Sequence, residues 1–308
     1  MKRALLLVLL LGFSYSFAET YPISPRPLRK LIKESEYIVI AKVSEISSVE
    51  ESDIWASANA HLKISETLQG TIDSEIIQVS FNPGLVCPAP ANYPKGKTVI
   101  AFLDKDKEGG YTTHALSYGT KVVDETGIAI YRARILEMQE IQKIKNKRMR
   151  REATLDWLVS CIVEPVTRWE GTYELSPESD FMSFYDRSKD DGEIFYLLSK
   201  DQQKKIKKAL YETEVLEYSD IGLIDMVMTQ QDEELDRFLV TKFKAMFEKN
   251  DDSDQIWMAG FFMYRIAYLK DDSNLEKIAE EFEEYGGVDY KKDQKRKRKL
   301  LEDFLSHL

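Results

Sequence analysis

The chain has 308 residues and a formal charge of -10, with 43 Lys and Arg against 53 Asp and Glu. That length supports one large or two medium domains with substantial cores, and the acidic balance argues against nucleic acid as a bulk partner. Two cysteines and three histidines show no ligand spacing for zinc, so neither a metal nor a cofactor is expected.

The first residues, MKRALLLVLLLGFSYSFAE, carry a short basic start (Lys2, Arg3), an apolar run from Ala4 to Phe13, and small residues Ser16 and Ala18 around Phe17. This pattern is that of a secretory signal, residues 1–18, cleaved between Ala18 and Glu19. The run is about half the roughly 20 residues that a bilayer crossing requires, and no cysteine follows it for lipid attachment. No later segment is apolar enough to span a membrane. The expected location is therefore periplasmic or extracellular.

A short helical stretch from Pro27 to Ser35 precedes a region that reads in period two to about residue 123. In ASANAHLKI, Ala56, Ala58, Ala60, Leu62 and Ile64 alternate with Ser57, Asn59, His61 and Lys63, which predicts a strand with one buried and one wet face. YIVIAKV (37–43), EIIQVSF (75–81), KTVIAFL (97–103) and YTTHALSY (111–118) predict four more strands. Five strands joined by turns and one long loop fit a small barrel. That loop, NPGLVCPAPANYPKGK, holds four of the nine prolines, whose missing amide donors suit an exposed connection.

From about Asp124 the pattern turns helical. Ile130, Ile135, Met138, Ile141 and Ile144 lie near one stripe, a basic break KNKRMRRE follows, and a second helix centres on Leu155, Trp157, Leu158 and Ile162. Thr167 with Glu170 and Ser199 with Gln202 have capping-box spacing, and Ser176-Pro177 has the form of a serine cap before a helix. Leu235, Phe238, Leu239, Phe243 and Met246 trace one helical face; Leu275, Ile278, Ala279 and Phe282 trace another. DQIWMAGFFMYRIAYLK between them is apolar nearly all round, so neighbours must cover most of it. Leu300, Leu301, Phe304, Leu305 and Leu308 predict a terminal helix docked on the rest. The set is similar to a short HEAT-like stack of helical pairs, without a strict sequence repeat.

The order of features in residues 25–123 resembles the netrin-like, or TIMP-like, OB-fold family. The entry PRPLRKLIKESE, the strand YIVIAKVSEI, the second strand ending in ISETLQG, and NYPKGKTVIAFL leading into YTTHALSYG carry the likeness. It implies a five-stranded OB barrel. The best-known members inhibit metalloproteases through an amino-terminal cysteine that reaches the catalytic zinc. The start expected here is Glu19-Thr20-Tyr21-Pro22, so that chemistry is not implied.

Chemical candidates each meet a plainer alternative. Cys87 as a nucleophile would need His61, His114 or His307 as its base, and none stands in a known spacing. Cys87 and Cys161 either form a disulfide tying barrel to helical domain or are two separate buried thiols. DKDKEGG (104–110) resembles the start of a calcium loop, but Ala115 occupies the position of the bidentate glutamate, which leaves a hairpin turn. The basic runs 143–151 and 291–299 read as anion-binding surfaces or as solvated helix faces, the latter favoured by the many carboxylates nearby. Trp169 and Glu170 have the make-up of a sugar-binding pair; Trp169 and Tyr173, four apart, would equally pack together.

The expected protein is thus α+β: a signal peptide, a barrel domain over residues 19–123, a helical linker with a basic break over 124–152, and a helical repeat-like domain over 153–308. No catalytic residue is assigned. The expected role is an exported, non-enzymatic binding or scaffolding module for a protein or envelope-associated ligand. The alternative is a protease-binding protein, on the likeness to the TIMP-like fold.

Overall fold

The computed structural model describes residues 25–47, 57–85, 89–176, 198–247, 256–283 and 290–308. The signal region with Ala18 and Glu19, and Cys87, lie outside the described residues. The chain divides into two compact units, residues 1–197 and 198–308.

In the first unit, helix α1 (Leu28–Glu34) leads into strands β1 (Tyr37–Ile46), β2 (Ala58–Gln69), β3 (Ile76–Phe81), β4 (Thr98–Lys105), β5 (Tyr111–Thr113) and β6 (Thr120–Lys121). Pairing runs β1-β2-β3-β5-β4 and closes from β4 back to β1, with β3 and β5 parallel and the other pairs antiparallel. The result is a closed five-stranded, OB-like barrel with β6 added beside β4. Its interior is filled by Val39, Ala41, Val43, Leu62, Val79, Val99, Ala101 and Leu103, with Tyr93 donating to or accepting from Thr113 Oγ1 at 2.6 Å.

Burial explains why some strands alternate and others do not. The opposite faces of β1 and β4, bearing Ile38, Ile40, Ile100 and Phe102, are covered by Leu28, Leu31 and Ile32 of α1 and by α2 (Glu125–Gln142) and α3 (Lys147–Val163) through Tyr131, Ile135, Met138, Trp157 and Leu158. Strands buried on both sides read as continuous apolar runs. β2 has only its inner face covered, so Ala58, Ala60 and Leu62 are buried while Asn59, His61 and Lys63 are not.

Two expectations are corrected here. Residues 124–152 are not a linker, and the second domain does not start at 153: α2, α3 and α4 (Arg168–Leu175) belong with the barrel, and the division falls after Leu197. The stripe on α2 matches the outer apolar faces of β1 and β4, which would otherwise meet water. The fifth strand does not run to residue 118. Ala115 and Leu116 both take φ of 56°, a left-handed turn that ends the strand and starts the 3-10 turn Leu116–Gly119. Gly119 is required there, because a Cβ on it would lie 1.8 Å from the His114 carbonyl oxygen.

The second unit is all-helical: α5 (Lys200–Tyr211), α6 (Ile221–Val227), α7 (Glu233–Phe247), α8 (Ile256–Lys270), α9 (Ser273–Glu283) and α10 (Tyr290–Ser306). α5 opens with the expected capping box, Ser199 accepting from Gln202 N and the Gln202 side chain accepting from Ser199 N. The nearly all-apolar α8 is packed by α7, α9 and α10. α10 docks through Leu300, Leu301 and Phe304, the last in edge contact with Phe243 at 5.7 Å. Ser176 is the C-cap of α4, and the helix it was expected to start at Pro177 lies outside the described residues.

Candidate functional site

A cluster of charged groups lies at one end of the barrel. Glu34 ends α1, Asp104 stands near the end of β4, and His114 follows β5, its backbone N–H donating to Phe102 O at 2.8 Å. The imidazole sits between two carboxylates: Nδ1 is 2.7 Å from Asp104 Oδ2 and Nε2 is 3.4 Å from Glu34 Oε2. Arg26 Nε donates to the same Glu34 oxygen at 2.9 Å, and Asp104 Oδ1 accepts from Glu36 N at 3.2 Å.

Burial works against charge on His114, but the Asp104 and Glu34 carboxylates outweigh it and raise the imidazole to about 9. Burial also opposes ionisation of Glu34, yet His114 and Arg26 hold its carboxyl below the usual value. At neutral pH the cluster is an imidazolium and a guanidinium between two carboxylates. An imidazolium with both N–H groups donated to carboxylates cannot take a proton, and neither nitrogen faces a hydroxyl or thiol as a general base must. The geometry clamps α1 onto β4 and β5.

A second node ties the same helix from its other end. Glu170, 1% exposed, accepts from Leu28 N at 2.7 Å and Tyr131 OH at 3.0 Å, and pairs with Lys121 Nζ at 2.7 Å. Burial and the adjacent carboxylate push the Tyr131 hydroxyl far up, so it stays a donor. Lys121 also lies over the rings of Trp169 and Tyr131 at 5.7 and 5.8 Å. Trp169 stacks on Tyr118 at 5.6 Å and meets Tyr173 at 5.3 Å. Glu170 therefore points into the core as an anchor for α1, which removes the sugar-binding pairing with Trp169. Nor does Thr167 cap α4 in the expected box: its Oγ1 donates to Cys161 O at 3.0 Å.

The remaining sequence candidates separate. Cys161 carries a free thiol in the core shared by barrel and helices, and burial pushes that thiol well above its ordinary value. Of the two alternatives for the cysteines, Cys161 stands as a buried free thiol among the described residues, and Cys87 lies outside them. His61 is half-buried on the outer face of β2, opposite Glu45 and Gln78, and His307 binds its own helix end through Asp303 O at 2.8 Å. Asp106 serves its hairpin turn by accepting from Glu108 N and Gly110 N, both at 2.8 Å. Among the described residues no group of three or more His, Cys, Asp or Glu is placed to hold a metal. Among the described residues no helix is long and apolar enough to cross a membrane.

What stays open on the barrel is the outer face of β2 and β3, together with the Lys42 end of β1. Lys42 stands directly across from Lys63, Lys63 from Ile76, His61 from Gln78, and Asn59 from Ser80. Lys42 and Lys63 are exposed and take part in no ion pair among the described residues. Like charges directly opposite on a ladder repel each other, so this pair costs stability.

No family model and no curated protein matches this chain.

Sequence reasoning missed the partners of His114. Glu34 lies 80 residues away and Arg26 further still, and only barrel closure brings them together. Lys121 gave no signal either. Glu170 did stand out, as a carboxylate between aromatic residues in TRWEGTYEL.

Proposed function

We propose that the protein is an exported, non-enzymatic binding module whose ligand docks on the open outer face of the barrel, with the helical unit as scaffold. One observation carries this reading: the Lys42–Lys63 cross-strand pair, which takes part in no ion pair among the described residues of an acidic chain. Such a pair costs stability and gains from an anionic partner. OB-type barrels present strand faces and loops to ligands, which supports the choice of face by analogy with the fold. The likeness of residues 25–123 to netrin-like proteins is kept as part of this reading, as is a stacked-helix character for the second unit.

The test compares wild type with the double variant Lys42→Glu, Lys63→Glu in capture from envelope and secreted fractions. Ligands lost from the variant, while its circular dichroism is unchanged, support the face. Identical capture by both would remove it. Turnover in a broad screen of peptides, esters and glycans, abolished by a single substitution, would end the non-enzymatic reading.

The closed barrel also favours protease binding as a second reading, by fold alone. Micromolar inhibition within a panel of metallo-, serine and cysteine proteases is its measurement.

A further inference from the structure

Two surfaces outside the barrel face carry opposite charge and an exposed apolar side chain each. In the second unit, a groove of about 380 Å³ is lined by Val215, Met246, Met258 and Ala245, with Glu214 and Glu217 at its edge. Val215 is 66% exposed, the most exposed of the large apolar side chains among the described residues. Of the acidic residues from 212 to 225, Glu214 and Glu217 line the groove, whereas Glu212 and Asp225 pair with Lys208 and Arg265 and Asp220 is buried. Lys242, also at the groove, donates its ammonium to Glu214 O at 2.6 Å and lies over the Phe238 ring. Methionine-lined apolar surfaces adapt to unbranched side chains, and open apolar patches of this kind mark contact sites.

The first unit carries the matching knob. At the corner between α2 and α3, Met149 is 58% exposed within KIKNKRMRR, which contains six basic residues and no acidic one. Glu140 pairs with Lys143, and Glu152 with Arg148. Lys145 and Lys147 take part in no ion pair among the described residues. No acidic residue lies in the first turn of α3, where the helix dipole would favour one.

We propose that this basic, methionine-tipped corner inserts into the acid-edged groove of a second copy of the chain. Each surface exposes a large apolar side chain, Met149 on one and Val215 on the other, and a second copy supplies both the apolar tip and the opposite charge. Because knob and groove are different surfaces, the contact is heterologous and leaves an unused knob and an unused groove at the two ends of each assembly. Self-association then grows with concentration beyond a dimer. It weakens with added salt, since exposed charges are screened over about 8 Å at physiological ionic strength. The inference does not rest on the barrel as a ligand site.

Sedimentation velocity of the full mature chain across a wide concentration range tests it. Met149→Asn and Val215→Lys change exposed side chains and leave the cores intact. Each variant alone is expected to be monomeric, with self-association weakened about tenfold or more, as for loss of a central apolar anchor. Mixed together they form a heterodimer and nothing larger, because only one intact knob and one intact groove remain to meet. A wild type that sediments as a monomer at every concentration overturns the proposal, as does assembly that either substitution leaves unchanged.

Discussion

At the scale of single residues, the charged nodes are stabilising clamps with readable titrations. His114 is raised from 6.5 to about 9, so its contribution is fully present below pH 6.5 and is lost as pH rises through about 9. For a partly buried group this amounts to on the order of 2 kcal/mol. Proton NMR of the imidazole should give an apparent midpoint well above 7, and His114→Ala should flatten the stability profile between neutral and alkaline pH. Glu170→Gln strands the Lys121 ammonium in the core, with an expected loss of roughly 3 kcal/mol in denaturant unfolding. Gly119→Ala meets backbone at the His114 carbonyl and should cost roughly 2 to 4 kcal/mol. Cys161 should resist thiol reagents in the native protein and react on unfolding without any reductant; failure to label it then would restore a bridge.

Between elements, the decisive contact is that of α1, α2 and α3 with the outer faces of β1 and β4. The apolar runs YIVIA and VIAFL are intelligible only with both faces covered. A fragment ending at residue 123 would expose Ile38, Ile40, Ile100 and Phe102 and should aggregate. One ending at residue 197 keeps that cover and should fold, as circular dichroism and gel filtration would show. Met138→Ala, inside the shared core, should destabilise by about 2 to 5 kcal/mol. Recovery of a soluble, cooperatively unfolding 25–123 fragment would return the helices to the role of a linker.

Across the whole molecule, two compact units with separate cores make separable unfolding the expected behaviour. The second unit, residues 198–308, carries its own buried set in Leu239, Phe243, Phe262, Ile266, Phe282 and Phe304. Expressed alone it should be helical and melt with a single transition. The exposed features are a basic pair on the barrel, a basic corner at Met149 and a groove at Val215 edged by Glu214 and Glu217.

Periodicity alone determined the five barrel strands, the helical second half and the Ser199 cap, because alternation, helical stripes and capping spacing are local properties of the chain. The alternation in ASANAHLKI marked a half-wet strand for the same reason. Only the tertiary structure decided where the units divide, since whether a helix is linker or cover depends on what apolar surface it meets. It likewise assembled Arg26, Glu34, Asp104 and His114, which are distant in sequence and meet because the barrel closes. It placed Glu170 inside and left Cys161 unbridged, because side-chain direction in a helix follows from packing partners that no local pattern names.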